Sequence, residues 1–251
     1  MAVLLIAIVA AECGKAVSKE TKVDILVTPL VTILTGVALS AMIAPAIGSA
    51  ASSIGAFVEW ATILQPFWMG ILVSVVVGIA LTLPISSAAI CAALGLTGLA
   101  GGAAVAGCCA QMVGFAVMSF RENRWGGLIS QGLGTSMLQM GNIVKNPKIW
   151  IPPILTSAIT GPIATCLFHF QMNDPSGGVA SGMGTCGMVG PIGVYAGWVN
   201  DVANGVKAAI TGTDYLAMAL ICIVLPAVLT WGFGWMLRKI GWIGENDLKL
   251  D

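Results

Sequence analysis

Apolar residues fall into long runs separated by short polar or glycine-rich stretches. Five runs (residues 25–45, 67–83, 103–120, 149–170 and 215–237) each have the roughly 17–25 residues of a membrane-spanning helix. Pro29 lies near the start of the first, where a missing N–H costs least, while Pro152, Pro153 and Pro162 predict a kinked fourth helix. Thr213 or Asp214 caps the fifth, Arg238 and Lys239 stop it, and Trp231, Trp235 and Trp242 form an aromatic belt near that end.

The remaining segments are ambiguous or short. Residues 1–11 are apolar but supply only about 16 Å of helix. With no basic leader and no small-residue cleavage site, they read as the second half of a helix whose natural N-terminal part is missing. A hydrophilic connector, 12–24, carries Lys15, Lys19 and Lys22. Over 46–65, Ile47, Ala51, Ile54, Phe57, Val58 and Ala61 recur at helical spacing. That pattern fits an amphipathic helix in the membrane interface and equally a helix packed through small residues. Residues 86–96 are too short to span, so they either dip in and return or continue across. Residues 199–210 place Val199, Val202, Val206, Ala209 and Ile210 on one face and Asn200, Asp201, Asn204 and Lys207 on the other, an interfacial connector.

The most unusual stretch is 131–153, QGLGTSMLQMGNIVKNPKIWIPP. Its glycines, amides, hydroxyls and Pro-Pro step do not suit a spanning helix. Unwound backbone at membrane depth is tolerated where it is buried in protein or lines a wet cavity, and transporters bind substrate at such breaks. An ordinary polar loop is the plainer alternative. A related word recurs in SGMGTCGMVGPI from Ser181, where Gly182, Gly184 and Thr185 match Gly132, Gly134 and Thr135. A second glycine-rich stretch thus covers 173–190, with Asp174 its only charge, and the pair reads as two re-entrant elements.

Composition fixes the class. Of 251 residues 57% are hydrophobic and only 9% charged, against about 25% in soluble domains, and mean hydropathy is +0.95. Between Asp24 and Arg121 the only acid or base is Glu59, and its place on 46–65 suggests a solvated group. The expected fold is all-α: a polytopic membrane protein with spanning helices, broken or re-entrant helical hairpins and interfacial amphipathic helices. Period-two alternation, the mark of a transmembrane barrel, is absent. Formal net charge is zero, which gives nucleic acid no footing. The seven cysteines show no C-x-x-C spacing and read as small buried residues, with no metal or cofactor implied. Basic residues cluster at 15–22, 121–124, 145–148 and 238–239. All four clusters can face the cytoplasm only if some segments between them are re-entrant.

No nucleophile–base pair, phosphate loop or carboxylate pair is present, so no catalytic residue is assigned. The single histidine, His169, reads as an interfacial side chain at a helix end. The near absence of intramembrane acids argues against a proton-driven carboxylate relay. A neutral polar solute fits better. Gln131, Thr135, Ser136, Gln139, Asn142 and Thr185 are the candidate binding residues because amides and hydroxyls both donate and accept, with Trp150 available for stacking.

SKETKVDILVTPLVTILTG, PFWMGILVSVVVGIALTLPISSAAI and MGNIVKNPKIWIPPILTSAITGP resemble the membrane (IIC) subunits of bacterial sugar phosphotransferase systems. The similarity is to the branch that includes perfringolysin- or toxin-regulator-like proteins. It runs over nearly the whole chain, and KNPKIWIPP and SGMGT are its most specific words. It implies a single IIC-like domain over 1–251, with 1–65 the remnant of an N-terminal bundle and 66–251 the transport domain. It also implies a homodimer, two re-entrant hairpins and further helices before the point where this chain starts.

Glucose-type relatives carry G-I-H and G-I-x-E-P words whose His and Glu hold the sugar hydroxyl to be phosphorylated. Gly78-Ile79-Ala80 and Gly132-Leu133-Gly134-Thr135-Ser136 fall at those places, so Ala80 and Thr135 stand where the resemblance implies His and Glu. Separate IIB and IIA phosphocarrier proteins are the implied partners, besides the sugar and the bilayer. The expectation is a multi-pass permease of the bacterial inner membrane for a sugar or similar solute, with the phosphotransferase pair replaced. A membrane-embedded regulator without transport and an uncoupled facilitator are the alternatives.

Overall fold

The computed structural model describes residues 2–18, 24–173 and 176–250. It divides into two compact units, Met1–Ile54 and Gly55–Asp251. The first contains α1 (Ala2–Val17) and most of α2 (Asp24–Leu64). α1 runs six residues beyond the apolar stretch 1–11, because nothing in ECGKAV stops a helix. Gly14 packs against Thr32 so closely that a Cβ would overlap the hydroxyl, and Gly36 faces Ala10. The hydroxyls of Thr28, Thr32 and Thr35 turn back to Asp24, the Thr28 carbonyl and the Val31 carbonyl at 2.6–2.8 Å. Those three hydroxyls are thereby satisfied within the helix itself.

The separate segments expected over 25–45 and 46–65 are one helix, which passes through Pro45. A proline removes one backbone bond, whereas breaking the helix in an apolar stretch would strand several. Over 55–64 the inward side chains are Gly55, Val58 and Thr62, while Ile54, Phe57 and Trp60 are exposed. Packing through small residues therefore describes 55–64 better than an interfacial amphipathic helix.

The second unit is built around α5 (Gly98–Met118), of whose 21 residues 17 are buried. α3 (Pro66–Thr82), α8 (Ile151–Pro162) and α11 (Leu225–Lys239), with α10 (Gly212–Ala219) leading into α11, lie against it. Small residues set the spacing. A Cβ on Gly107 would overlap the Ser74 carbonyl, one on Gly161 the Gly70 carbonyl, and one on Gly102 the Phe170 carbonyl. Close approach lets hydroxyls bond across helices: Ser74 to the Ser157 carbonyl at 2.8 Å, Thr230 to Thr156 at 2.9 Å and Thr165 to the Pro66 carbonyl at 2.7 Å. Membrane helices associate through such packing and hydrogen bonds.

Four segments among the described residues are long and apolar enough to cross a membrane: Asp24–Ile43, Gly98–Met118, Pro147–Leu167 and Gly212–Lys239. Two prolines shape these spans. Residues 163–167 form a π turn after Pro162, and 220–224 another just before Pro226. Pro152 and Pro153, expected to kink the helix, occupy the first turn of α8, where no N–H is needed. The last span is capped by Thr211, two residues before Thr213, the first of the two caps the sequence suggested. The Thr211 backbone N–H donates to Asp214 at 2.8 Å in a capping box, so Asp214 serves as the box acid rather than the N-cap.

Residues 86–96 form the short α4 (Ser87–Leu94), capped by the Ser86 hydroxyl and stopped by Gly95 at φ 61°. The stretch 131–153 is broken as expected. α6 (Phe120–Ile129) leads into a π turn over 130–134, a 3-10 turn over 136–139, α7 (Met140–Lys145) and a 3-10 turn over 147–150. The second glycine-rich stretch is likewise turns, at 180–182 and 186–188, with Asp174 outside the described residues. The connector expected at 199–210 begins instead as the end of α9 (Val189–Ala203), and turns follow it.

Three of the four basic clusters meet at one end of this unit. Arg238 pairs with Glu122 at 2.7 Å, Lys148 lies over the Trp242 ring at 5.3 Å, and the Asn146 amide donates to the Trp242 carbonyl. In the fourth cluster Lys15 pairs with Glu12 at 3.7 Å, while Lys19 and Lys22 lie outside the described residues.

The glycine seam is testable by unfolding in detergent. Gly107→Ala should destabilise by about 1–3 kcal/mol through overpacking. Gly126→Ala, with open space around it, should be neutral or gain up to about 1 kcal/mol. Equal stabilities for the two variants would contradict the close approach of α3 and α5.

Candidate functional site

The two glycine-rich words touch. The Thr185 hydroxyl donates to the Gly132 carbonyl at 2.6 Å. Gly184, at φ 53°, rests on Cys108 half-way along α5, where a Cβ would clash. Gly182 lies on the backbone of Ser87, whose hydroxyl donates to the Gly182 carbonyl at 2.7 Å. Thr135 caps the turn after the first word, its hydroxyl accepting from the Met137 N–H at 3.1 Å. Beside this contact is a cavity of about 360 Å³ lined by Gly132, Leu133, Met188, Ile223 and other apolar residues, with Thr185 its only polar side chain.

Gln131, Gln139 and Asn142 form a row of amides. Gln131 donates to Ser119 Oγ at 2.7 Å, Gln139 to Gln131 Oε1 at 2.9 Å, and Asn142 to Gln139 Oε1 at 2.9 Å. The row also holds the C-terminal tail, with Gln139 donating to the Leu248 carbonyl at 3.0 Å and Asn142 to the Lys249 carbonyl at 2.9 Å. Asn123, not singled out in the sequence, donates to the Leu248 carbonyl at 2.7 Å and accepts from the Leu250 N–H at 2.8 Å. Leu248 and Ile243 are buried against Phe115, Met118, Ile143 and Leu237. With Thr185, at least four of the six candidates therefore spend donors on the chain itself.

Ser136 belongs to a different cluster, where α3, α5 and the two 3-10 turns meet. Its hydroxyl is 2.9 Å from Thr82 Oγ1, which is 3.3 Å from Gln111 Oε1. The Trp150 indole N–H donates to the same Gln111 oxygen at 3.0 Å. Thr82, Gln111 and Ser136 are fully buried, and the Gln111 amide nitrogen has no hydrogen-bond partner. The sequence reading missed Gln111 because it sits alone in the apolar run 103–120. The available signal was its cost: an amide inside a spanning helix has to find a partner in the bundle.

The opposite end of the unit has its own polar recess. A cavity of about 310 Å³ is lined by His169, Gln171, Asp201, Lys207, Asp214 and Trp198 among others. Lys207 pairs with Asp214 at 2.7 Å and stands over the Trp198 ring at 5.0 Å, and Asn173 donates to Asp201 at 2.9 Å. His169 adopts φ 44° in the turn that follows 163–167. Lys207 and Asp214 in this recess are thus engaged with one another and Asp201 with Asn173.

Comparison with known proteins agrees with the helical membrane architecture. Residues 1–250 match the family described as Phosphotransferase system, EIIC. No curated protein and no solved structure matches the chain. A match over almost every residue, on a bundle of apolar helices with a buried polar junction, shows that this chain belongs to the phosphotransferase-system EIIC family, the membrane permease component for sugars.

Proposed function

We propose that a neutral sugar is held at the junction of Thr82, Gln111, Ser136 and Trp150 during its passage across the membrane. The observation that carries this is the buried, unpartnered Gln111 amide nitrogen. A buried donor without an acceptor costs about 1–3 kcal/mol, and a sugar hydroxyl supplies the acceptor. Trp150 is half-buried, so its ring offers an apolar face while its N–H fixes the amide.

Thr135 and Thr185 support the site from either side. One caps the turn that presents Ser136, and the other ties the second glycine word to the first. Gln139 and Asn142 meet the sugar at the tail end, each exchanging a tail carbonyl for a sugar hydroxyl, with Gln131 beside them orienting Gln139. The path is framed by two re-entrant hairpins, α3 with α4 in place of the expected 131–153, and the turns over 176–188 with α9. Both turn back where Thr82 meets Ser136, Ser87 meets Gly182 and Gly184 meets Cys108.

The junction offers hydroxyls, an amide and an indole, with Ala80 and Thr135 at the places where the resemblance puts His and Glu. The chain accordingly binds and moves sugar without its own group to activate the sugar hydroxyl. Separate IIB and IIA proteins remain the partners for a phosphorylating cycle in the bacterial inner membrane. A homodimer fits the Asp24–Ile43 window, none of which is buried within the chain.

Uptake by proteoliposomes, with labelled hexoses and with or without phosphoenolpyruvate and the soluble phosphocarriers, tests the proposal. Wild type should take up sugar, and Gln111→Met should lose roughly ten- to a hundredfold in affinity. Its stability should change by no more than about 1–2 kcal/mol, since the lost Trp150 bond is offset by removing the unpaired nitrogen. His169→Ala should leave affinity unchanged. Loss of uptake on changing His169 but not Gln111 would move the site to the opposite end, and binding without uptake would favour a regulator.

Orientation is tested separately. In a cysteine-free background, cysteines at Arg124, Lys145 and Arg238 should all label from the cytoplasmic side. External labelling at any one of them contradicts the hairpin arrangement.

A further inference from the structure

Where α5 ends, α6 bends away and α11 returns, the unit has a cavity of about 520 Å³ that the sugar path does not use. Its wall contains three arginines, Arg121, Arg124 and Arg238, together with Trp231 and Trp235. Arg238 is neutralised by Glu122 at 2.7 Å and also reaches the Met118 carbonyl. Arg121 and Arg124 are exposed and, among the described residues, have no carboxylate partner. Two uncompensated cations therefore face one recess.

The rest of the wall is apolar. Val117, Leu128 and Gly234 are part of it, and Trp231 and Trp235 are 60% and 52% exposed. Tryptophans at the end of a spanning helix sit at headgroup depth. A ligand matching this wall is an amphiphile with an anionic head beside the arginines and an aliphatic body along the helices.

The backbone supplies an independent sign. Arg124 adopts φ 51°, ψ −146°, a region that side-chain-bearing residues avoid and glycine enters freely. Glycines are near at hand in the same segment, at 126 and 127, yet the strained position carries an arginine that lines the cavity. A residue with a purely structural task at that kink would be better as glycine.

We infer that this cavity is a binding site for the phosphodiester headgroup of an anionic phospholipid such as phosphatidylglycerol. Arg121 and Arg124 hold the phosphate and the Trp231–Trp235 face holds the glycerol and upper acyl chain. Basic pockets between spanning helices bind anionic headgroups on general electrostatic grounds, and arginine forks suit phosphate oxygens. The inference rests on the membrane fold and is independent of the Gln111 junction.

The test uses the full chain in a non-ionic detergent, titrated with phosphatidylglycerol or phosphatidylcholine. Retained lipid is measured by native mass spectrometry and stability by thermal unfolding. Wild type should retain phosphatidylglycerol roughly thirtyfold better than phosphatidylcholine, the effect of two cations, and lose much of that preference at high salt. The variant Arg121→Gln/Arg124→Gly should lose the preference. Arg124→Gly alone should be at least as stable as wild type without lipid and gain less stability from phosphatidylglycerol. Lys145→Gln, which changes a basic residue outside the cavity, should keep the preference.

Equal retention of the two lipids would overturn the site. So would full preference in the double variant, or an equal loss with Lys145→Gln, which would show only diffuse surface charge. Equal stabilisation by inorganic phosphate or by soluble glycerophosphoglycerol would identify a soluble anion as the ligand and overturn the lipid assignment.

Discussion

A Cβ at Gly107 would occupy the space of the Ser74 carbonyl oxygen, and one at Gly102 that of the Phe170 carbonyl. The glycine positions of α5 are the constraint from which the Gly55–Asp251 unit follows. Lipid tails are as apolar as leucine, so helices gain little by burying leucine against one another in a membrane. They gain by approaching closely enough for dispersion and for cross-helix hydrogen bonds. α5 supplies that mainly with alanine, glycine and cysteine over 98–110, and α3 and α8 answer with Gly70, Ser74, Ser157 and Gly161. The serine and threonine hydroxyls then bond to neighbouring carbonyls instead of projecting into hydrocarbon.

Such a tight bundle leaves little room for unpaired polar groups, which gives the exceptions their meaning. Among the described residues only the Gln111 amide nitrogen and one Glu122 carboxylate oxygen are buried without a partner. Glu122 already has Arg238 on its other oxygen, so its charge is balanced. Gln111 has no such balance. Its oxygen is held by Trp150 and Thr82, which fixes the orientation of the amide and leaves the donor side open. An amide held by its oxygen and free at its nitrogen is a preorganised donor, and preorganisation lowers the ordering cost of binding.

Much of the architecture was legible because hydropathy reads the solvent directly. The helical class, the runs that form α5, α8 and the last span, and the break over 131–150 follow from where glycine, proline and charge interrupt apolar sequence. Misread boundaries have a common cause. The run ending at 45 and the kink expected at Pro152 and Pro153 both treat proline as an interruption, yet a proline breaks a helix only where the lost N–H and the ring clash cannot be absorbed. The first turn of α8 needs no N–H, and at Pro45 the apolar surroundings make continuation the cheaper course. The packing of 55–64 was open in the sequence, because Gly55 is neutral on any hydrophobicity scale and its role appears only when Leu94 is seen above it.

The site was half legible for a more basic reason. An amide does not encode whether its partner is a sugar hydroxyl or a carbonyl of its own chain, since the two acceptors are chemically alike. Gln131, Gln139 and Asn142 stand out by their excess of hydrogen-bonding capacity, and the structure satisfies that capacity with Ser119, with one another and with the 248–249 backbone. Gln111 drew no notice because it stands alone in a span, yet isolation is what leaves its nitrogen without a neighbour to satisfy it. A crowd of polar groups inside a membrane protein tends to satisfy itself. The solitary one, oriented by two partners and short of a third, has the greater need of a ligand.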